Sequence, residues 1–412
     1  MTTVKFIHAA DLHLDSPFEG LQRLPKALWQ QIHEAPFNAT KTMVNDAIKQ
    51  KVDFVLLVGD LFDRKTQSVQ AQVFLNEQLQ RLVDAGITVF VSFGNHDYLT
   101  GDQQLDLPDG VIVFGSDVTT KTLTAADHTR VAISGFSYAD RWLEQDVVPQ
   151  FPERGSVDFQ IGMLHGAVKQ GSTNHYAPFT VSELSATHYD YWALGHIHKP
   201  SVLTKTPPVV YAGTIQGRHK LETGEHGYQL VTSQGNRLQS QFVPVDQVRW
   251  SSLTLAVDEN TTDTSLIEAV RTALMQRKAT VFELIDLRLT GIEKLSASML
   301  SRLNDGTWLE RLDQTQKKGY RQYQAWVYEV NVLPTSRPVQ YAKLDAEYWQ
   351  DAQKTVFTQD NVEMTAGKLM QYSFIADHLR NPETTGHLTD RAKNELLAQS
   401  RLEEENDADQ DD

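Results

Sequence analysis

The chain reads as a mixed α/β protein: an α/β core with right-handed crossovers and a second sheet packed on it, then a small α+β unit and a helical C-terminal stretch. Three observations carry this. Apolar β-rich runs alternate with helical periodicity up to Phe93, short strands follow closely from Val111, and the character shifts near Arg249.

Residues 4 to 10 predict a strand, and a helical stretch spans about Ala27 to Lys51. Asp53 to Val58 is a buried strand, Val69 to Ala85 is helical, and Ile87 to Phe93 is again apolar and β-rich. Short strands are expected at Val111 to Phe114, Arg130 to Phe136, Phe159 to Leu164, Tyr191 to Leu194, Val209 to Tyr211, Tyr228 to Thr232 and Leu238 to Val245. A strand at Ser252 to Val257 then precedes a helix with Leu266, Val270 and Leu274 on one face. A strand at Val281 to Leu289, a helix from about Ala297 to Leu312 and a strand at Ala325 to Val332 complete the α+β unit. Pro334 to Pro338 looks like an exit linker, and beyond Tyr341 the chain is polar and mostly helical.

At 412 residues the chain is too long for one ordinary core. The expected division is 1–248 as a catalytic domain, 249–335 as an α+β cap, 336–402 as a C-terminal helical segment and 403–412 as an acidic disordered tail. No apolar run approaches the roughly 18 to 20 residues of a membrane helix, and the N-terminus enters a strand at once. There is no cysteine, which excludes disulfides, thiolate metal sites and cysteine nucleophiles. A cytoplasmic location, with no membrane contact, fits these features. The net charge is −15, and removing the seven acids of the last ten residues still leaves −8. A protein that grips nucleic acid unaided usually carries a basic excess, so any DNA contact must be a local patch, metal-bridged or shared with a partner.

Five short motifs each stand where an expected strand ends: Asp11-Leu-His13, Gly59-Asp60-Leu-Phe-Asp63, Gly94-Asn95-His96-Asp97, His165-Gly166 and Gly195-His196-Ile-His198. Open α/β sheets gather ligands at the carboxyl ends of their strands. Two cations about 3.5 to 4 Å apart can clamp both oxygens of a phosphoryl displacement, and such a pair needs a bridging carboxylate. Ligands spaced i, i+2 on an extended segment face one site, which suits Asp11 with His13 and His196 with His198. A lone Asp-x-His or His-x-His is common on any surface; five motifs in this order are not. Histidine and carboxylate donors suit manganese, iron or zinc.

In order and wording the motifs resemble the calcineurin-like metallophosphoesterases. Phe6 to Asp15, Val58 to Asp63 and Asp190 to His198 are closer still to the SbcD-type DNA-repair nucleases, in a branch of Gram-positive bacteria. The resemblance implies a four-layer α/β/β/α sandwich. It implies that Asp11, His13, Asp60 and His198 hold one metal, and that Asp60, Asn95, His165 and His196 hold the other, with Asp60 bridging. His96 would face the scissile phosphate and assist the leaving oxygen, with Asp97 orienting its imidazole. Manganese is the usual ion, with iron, zinc or magnesium as alternatives. DNA would be the substrate, with 3′ to 5′ exonuclease polarity. An SbcC-like coiled-coil ATPase would dock on the C-terminal helices, where Leu388, Leu396, Leu397 and Leu402 could supply an apolar stripe, and the nuclease would work as a homodimer.

Smaller expectations follow from position. Asp63 is expected to hydrogen-bond behind the metal ligands, Asp15 and Asp190 to fix turns, and His8 to pack in the core. Arg218 and Lys220, in the Gly-rich segment Gly213 to Lys220, are candidate contacts to a nucleic-acid backbone, against the plainer reading of a solvated loop. Two other functions stay open: a phosphodiesterase or phosphatase on a small nucleotide, and a non-catalytic partner of the ATPase that uses metals only to fold.

Overall fold

The computed structural model describes residues 4–18, 20–21, 23–63, 67–99, 107–125, 128–169, 175–333, 351–380 without 353 and 372, and 384, 386, 388, 389 and 392. The chain divides into two units, Met1–Trp250 and Ser251–Asp412.

The first unit runs β1 (Lys5–Ala9), α1 (Lys26–His33), α2 (Ala35–Gln50), β2 (Phe54–Val58), α3 (Val69–Asp84), β3 (Thr88–Ser92), β4 (Val111–Val113), β5 (Thr119–Thr124), β6 (Arg130–Gly135), β7 (Phe159–His165), α4 (Val181–Ala186), β8 (Tyr191–Gly195), β9 (Ser201–Lys205), β10 (Pro208–Tyr211), β11 (Gly227–Gln234) and β12 (Arg237–Pro244). They form two six-stranded sheets, ordered β12-β11-β1-β2-β3-β4 and β5-β6-β7-β8-β10-β9. Strands β1 to β4 are parallel, as are β6, β7, β8 and β10.

The period of two in each strand explains the layering. In the first sheet Ile7, Ala9, Val55, Leu57, Val89 and Val91 face outward and pack with Met43 and Val44 of α2 and Leu75 and Leu79 of α3. Their neighbours Phe6, Phe54, Leu56 and Phe90 face inward, into one core with Val131, Ile133, Ile161, Met163, Tyr191 and Ala193 of the second sheet. Trp192, Leu194, Val209 and Tyr211 face outward from the second sheet against Leu184 of α4. The result is the α/β/β/α sandwich. Each such side chain contributes about 1.5–3 kcal/mol by leaving water. A one-residue slip in β1 or β2 would exchange the two faces.

Three local departures from the sequence expectation have physical causes. The helical stretch Ala27 to Lys51 is two helices, because Pro36 enters the first turn of α2 and cannot donate to the Ile32 carbonyl. The short helix α4 is fixed by a capping box between Thr180 and Glu183. Strands β11 and β12 do not continue the second sheet; β11 returns to pair antiparallel with β1, Ile7 opposite Leu230.

The second unit carries most of β13 (Val248–Ala256), then α5 (Asp263–Gln276), β14 (Phe282–Thr290), α6 (Ala297–Asn304), α7 (Thr307–Tyr323), β15 (Ala325–Val332), α8 (Gln359–Ala366) and α9 (Ser373–Arg380). Its sheet is ordered β13-β14-β15, and Leu266, Val270 and Leu274 of α5 are buried against it as the periodicity predicts. The helix expected from Ala297 is interrupted at Gly306, which takes φ +85°. Leu388 is 38% exposed. The linker 334–338, Leu396, Leu397, Leu402 and the tail 403–412 lie outside the described residues. No helix among the described residues is long and apolar enough to cross a membrane.

Candidate metal centre

Past the carboxyl ends of β1, β2, β3, β7 and β8 the five motifs meet. Backbone pairing continues beyond the strands: Asp11 N–H donates to Gly59 O at 3.1 Å, His13 N–H to Asp60 O at 3.0 Å, and Gly59 N–H to Ser92 O at 3.0 Å. This pairing holds residues in a costly conformation. Asp11, His13, Asp60 and His196 have φ of 51°, 43°, 50° and 95°, a region L-residues avoid by roughly 1–2 kcal/mol each. Such strain persists only where the surrounding structure enforces it, and here it turns four of the seven expected ligands toward one point. Gly94 is required by proximity: a Cβ there would collide with Asp60 Oδ1 and the His165 ring.

Two groups of donor atoms result. In one, Asp11, His13 and His198 converge, with His13 Nε2 and His198 Nε2 3.2 Å apart. In the other, Asp11, Asp60 and His165 converge. Asn95 Oδ1 lies 3.1 Å from His165 Nε2 and 3.2 Å from His196 Nδ1. Asp60 Oδ2 stands between the groups, 3.8 Å from His13 Nε2 and 3.4 Å from His165 Nε2. All seven expected ligands are thus brought together, and Asp11, His13, Asp60, Asn95 and His165 are buried.

The donor set fits divalent cations. His165 Nδ1–H is given to Val58 O at 3.1 Å, and His198 Nδ1–H to Glu222 Oε1 at 2.5 Å. In its neutral form each ring therefore turns Nε2 inward as an acceptor. Ligand atoms about 2.1 Å from one cation at 90–109° stand about 3.0–3.4 Å apart, the spacing of His13 with His198, of Asn95 with His165 and His196, and of Asp60 with His165, while Asp60 and His13 are wider apart at 3.8 Å. A nitrogen and oxygen set of this kind suits manganese, iron or zinc.

Electrostatics divide the histidines. Burial pushes Asp60 up, but His165, His13 and His96 outweigh it and hold the carboxyl well below the usual range. Burial lowers His165 too, yet the Asp60 carboxylate raises it to about 9. Burial, reinforced by Arg218, lowers His13 to about 3, and burial with the neighbouring His165 lowers His196 to about 3. His13 and His196 are thus held in the neutral form a metal needs, whereas a cation would have to displace the proton that Asp60 keeps on His165.

Around the ligands the structure redistributes the expected roles. His96 is half-buried at the edge, its ring 5.0 Å from that of His13. Its Nδ1–H goes to the Asp63 carbonyl at 2.7 Å, so that carbonyl orients it. Asp97 instead accepts from Leu61 N–H at 2.6 Å and Gly94 N–H at 2.8 Å, joining the loops after β2 and β3. The Asp63 carboxylate lies 3.4 Å from His13 Nδ1 and pairs with Arg218. Lys220 is exposed on the same loop. Asp15 accepts from Ser68 N–H at the start of α3, and Asp190 accepts from Gln160 N–H. His8 is fully buried, accepting from Tyr191 OH at 3.0 Å and donating to Leu194 O at 3.2 Å.

Glu222 escaped the sequence reading. It lies just past the Gly213 to Lys220 segment, in no motif, and nothing local marks it. Its carboxylate is buried and also accepts from His219 at 3.0 Å and Arg218 N–H at 2.6 Å. Burial opposes its charge, but the bonds from His198 and His219 hold its carboxyl far below the usual range.

Comparison with known proteins agrees with this geometry. A profile described as calcineurin-like phosphoesterase matches residues 4–200. The chain is also 42% identical over 275 residues to the uncharacterized metallophosphoesterase YhaO of Bacillus subtilis, covering 66% of this chain and 67% of that one. The chain belongs to the calcineurin-like phosphoesterases. Two archaeal proteins named DNA double-strand break repair protein Mre11 are more distant relatives of this phosphoesterase. That of Thermoplasma acidophilum is 24% identical over 230 residues, 54% of this chain and 58% of its own. That of Archaeoglobus fulgidus is 26% identical over 234 residues, 52% of this chain and 50% of its own. The match thus spans half to three-fifths of the length of these two relatives. As a calcineurin-like phosphoesterase the protein is a hydrolase of a divalent-metal family, and the two donor groups around Asp60 are its candidate metal ligands.

Proposed function

We propose that the protein is a two-metal phosphodiesterase acting on DNA, a 3′ to 5′ exonuclease subunit of the SbcD type. The observation that carries this is the pair of donor groups, which have Asp11 in common and Asp60 Oδ2 between them, with His96 at their edge. Asp11, His13, Asp60 and His198 would hold one cation, and Asp60, Asn95, His165 and His196 the other. Bound cations would neutralise phosphate oxygens and lower the pKa of water.

The chain's own residues do the rest. Asp60 fixes both donor groups in one register. The Asp63 carbonyl pins His96 through Nδ1–H, which leaves Nε2 to face the phosphate; the imidazolium form would give its Nε2 proton to the leaving oxygen and end as the Nδ1–H tautomer. Asp97 keeps the His96 loop in place through the backbone.

DNA as substrate is supported by the relatives named for double-strand break repair. With a net charge of −15, the chain would grip DNA through metals and local contacts. Lys220, exposed on this loop, and Arg218, which Asp63 engages, are the candidates for such a contact. In this reading residues 1–248 are catalytic, 249–335 form a cap, and 336–402 dock a coiled-coil ATPase within a homodimeric assembly. The acidic charge favours one second reading, a phosphodiesterase on a small nucleotide.

Turnover of linear DNA, cyclic nucleotides and bis(p-nitrophenyl) phosphate with manganese, magnesium or zinc separates them. The DNA reading predicts manganese-dependent degradation of strands from the 3′ end. Cleavage of nucleotides without strands supports the second reading, and no turnover of any substrate refutes both.

A further inference from the structure

Beside the metal centre lies an aromatic surface that the phosphoesterase chemistry does not use. Trp142 is 48% exposed. The Arg141 guanidinium lies over its indole, 5.0 Å from the ring centroid. Tyr176 stands 5.4 Å from the indole at 44°, and 4.4 Å from the imidazole of His196, tilted by 35°. One row of rings thus leads from solvent to an expected metal ligand.

The row is rigidly mounted. Leu143 and Tyr176 form a β-bridge, Leu143 N–H donates to His175 O at 2.9 Å, and Ala177 N–H donates to Leu143 O at 2.6 Å. Leu143 and Ala177 anchor it in the core beneath the second sheet. An indole serving only to pack would be expected beneath that surface; this one is half open, while Leu143 beside it is partly buried in the core. Among the described residues the Arg141 guanidinium has no acidic partner, so its charge is available to a phosphate.

We propose that Trp142, Arg141 and Tyr176 form a stacking subsite for an unpaired nucleobase of a DNA strand whose phosphate lies at the metals. The proposal rests on the DNA reading above. Steps of 5.4 Å and 4.4 Å keep the indole within about 10 Å of the His196 ring, one to three nucleotides at about 3.4 Å per stacked base. Stacking is indifferent to base identity, because every base offers a π-face, and Arg adds cation–π attraction and a phosphate contact. The subsite would give an acidic protein a grip on a strand end without a basic face.

The test compares binding of a fluorescent single strand with that of an abasic strand of equal length and charge. The full chain is used with manganese, in a His96→Ala background to prevent cleavage. The base-bearing strand is expected to bind about 5- to 100-fold more tightly. Trp142→Ala should bring that ratio close to one, and Trp142→Phe, which keeps a ring, should preserve most of it. A ratio near one in the parent protein, or one that survives Trp142→Ala, overturns the subsite. If both strands bind alike and the wild-type chain cleaves both, the subsite fails and the DNA reading stands. If neither binds while bis(p-nitrophenyl) phosphate is hydrolysed, both fail.

Discussion

Glu222 Oε1 accepts the Nδ1–H of His198 at 2.5 Å, and this bond fixes which nitrogen His198 turns toward the metal centre. A carboxylate behind a ligating histidine sets its tautomer and raises its basicity. Glu222→Gln keeps the volume but lets the amide turn its NH₂ group toward His198. Manganese affinity should fall about 10- to 100-fold, measured calorimetrically on chelator-stripped protein. Unchanged affinity would mean that Glu222 only packs.

His96 should separate chemistry from coordination. Its ring is pinned at Nδ1 by the Asp63 carbonyl and is not among the seven expected ligands. His96→Ala should lower turnover of bis(p-nitrophenyl) phosphate by about 10²- to 10⁴-fold, the usual worth of general acid catalysis. Metal content by elemental analysis should not change. Loss of metals along with turnover would give His96 a structural role instead.

Much of this arrangement is legible in the sequence, because each expected ligand stands at or just past a strand end and strand ends are locally signalled. Asp11, Asp60, Asn95, His165 and His196 are all expected on that ground. Glu222 could not be, since its partner His198 is 24 positions away and only the return of the chain through Gly213 brings them together. The same holds for β11, whose pairing with β1 joins residues far apart in sequence. The role of the Asp63 carbonyl is invisible for another reason, since it acts through the main chain, which carries no residue-type signal, and Asp97 spends its carboxylate on the N–H groups of Leu61 and Gly94, which no side-chain pattern announces.

Gly94 should tolerate no side chain. Its absent Cβ leaves the space occupied by Asp60 Oδ1 and the His165 ring. Gly94→Ala should cost about 1–3 kcal/mol by forcing those groups apart, read from urea denaturation of the apo-protein. It should also weaken manganese binding, because both displaced groups belong to the same donor set. Wild-type values for both would show that the loop relaxes freely.

His8 should make stability fall in mild acid. Burial lowers its folded-state pKa from 6.5 to about 3, so the folded chain refuses a proton that the unfolded chain accepts. Its contribution is intact above pH 6.5 and is lost as pH falls from there toward about 3. From pH 6.5 to about pH 5 the wild type should lose about 2 kcal/mol more than His8→Gln, in chelator-treated protein. Parallel stability curves would show that His8 does not titrate on unfolding.

The most direct measurement is the metal count of wild type and Asp60→Asn by manganese titration. Asp60 is the carboxylate between the two donor groups, so the wild type should take up two ions per chain. Asp60→Asn should hold at most one tightly, with turnover of bis(p-nitrophenyl) phosphate lost. A wild type that saturates at one ion, or an Asp60→Asn chain that keeps two and stays active, would contradict the shared centre.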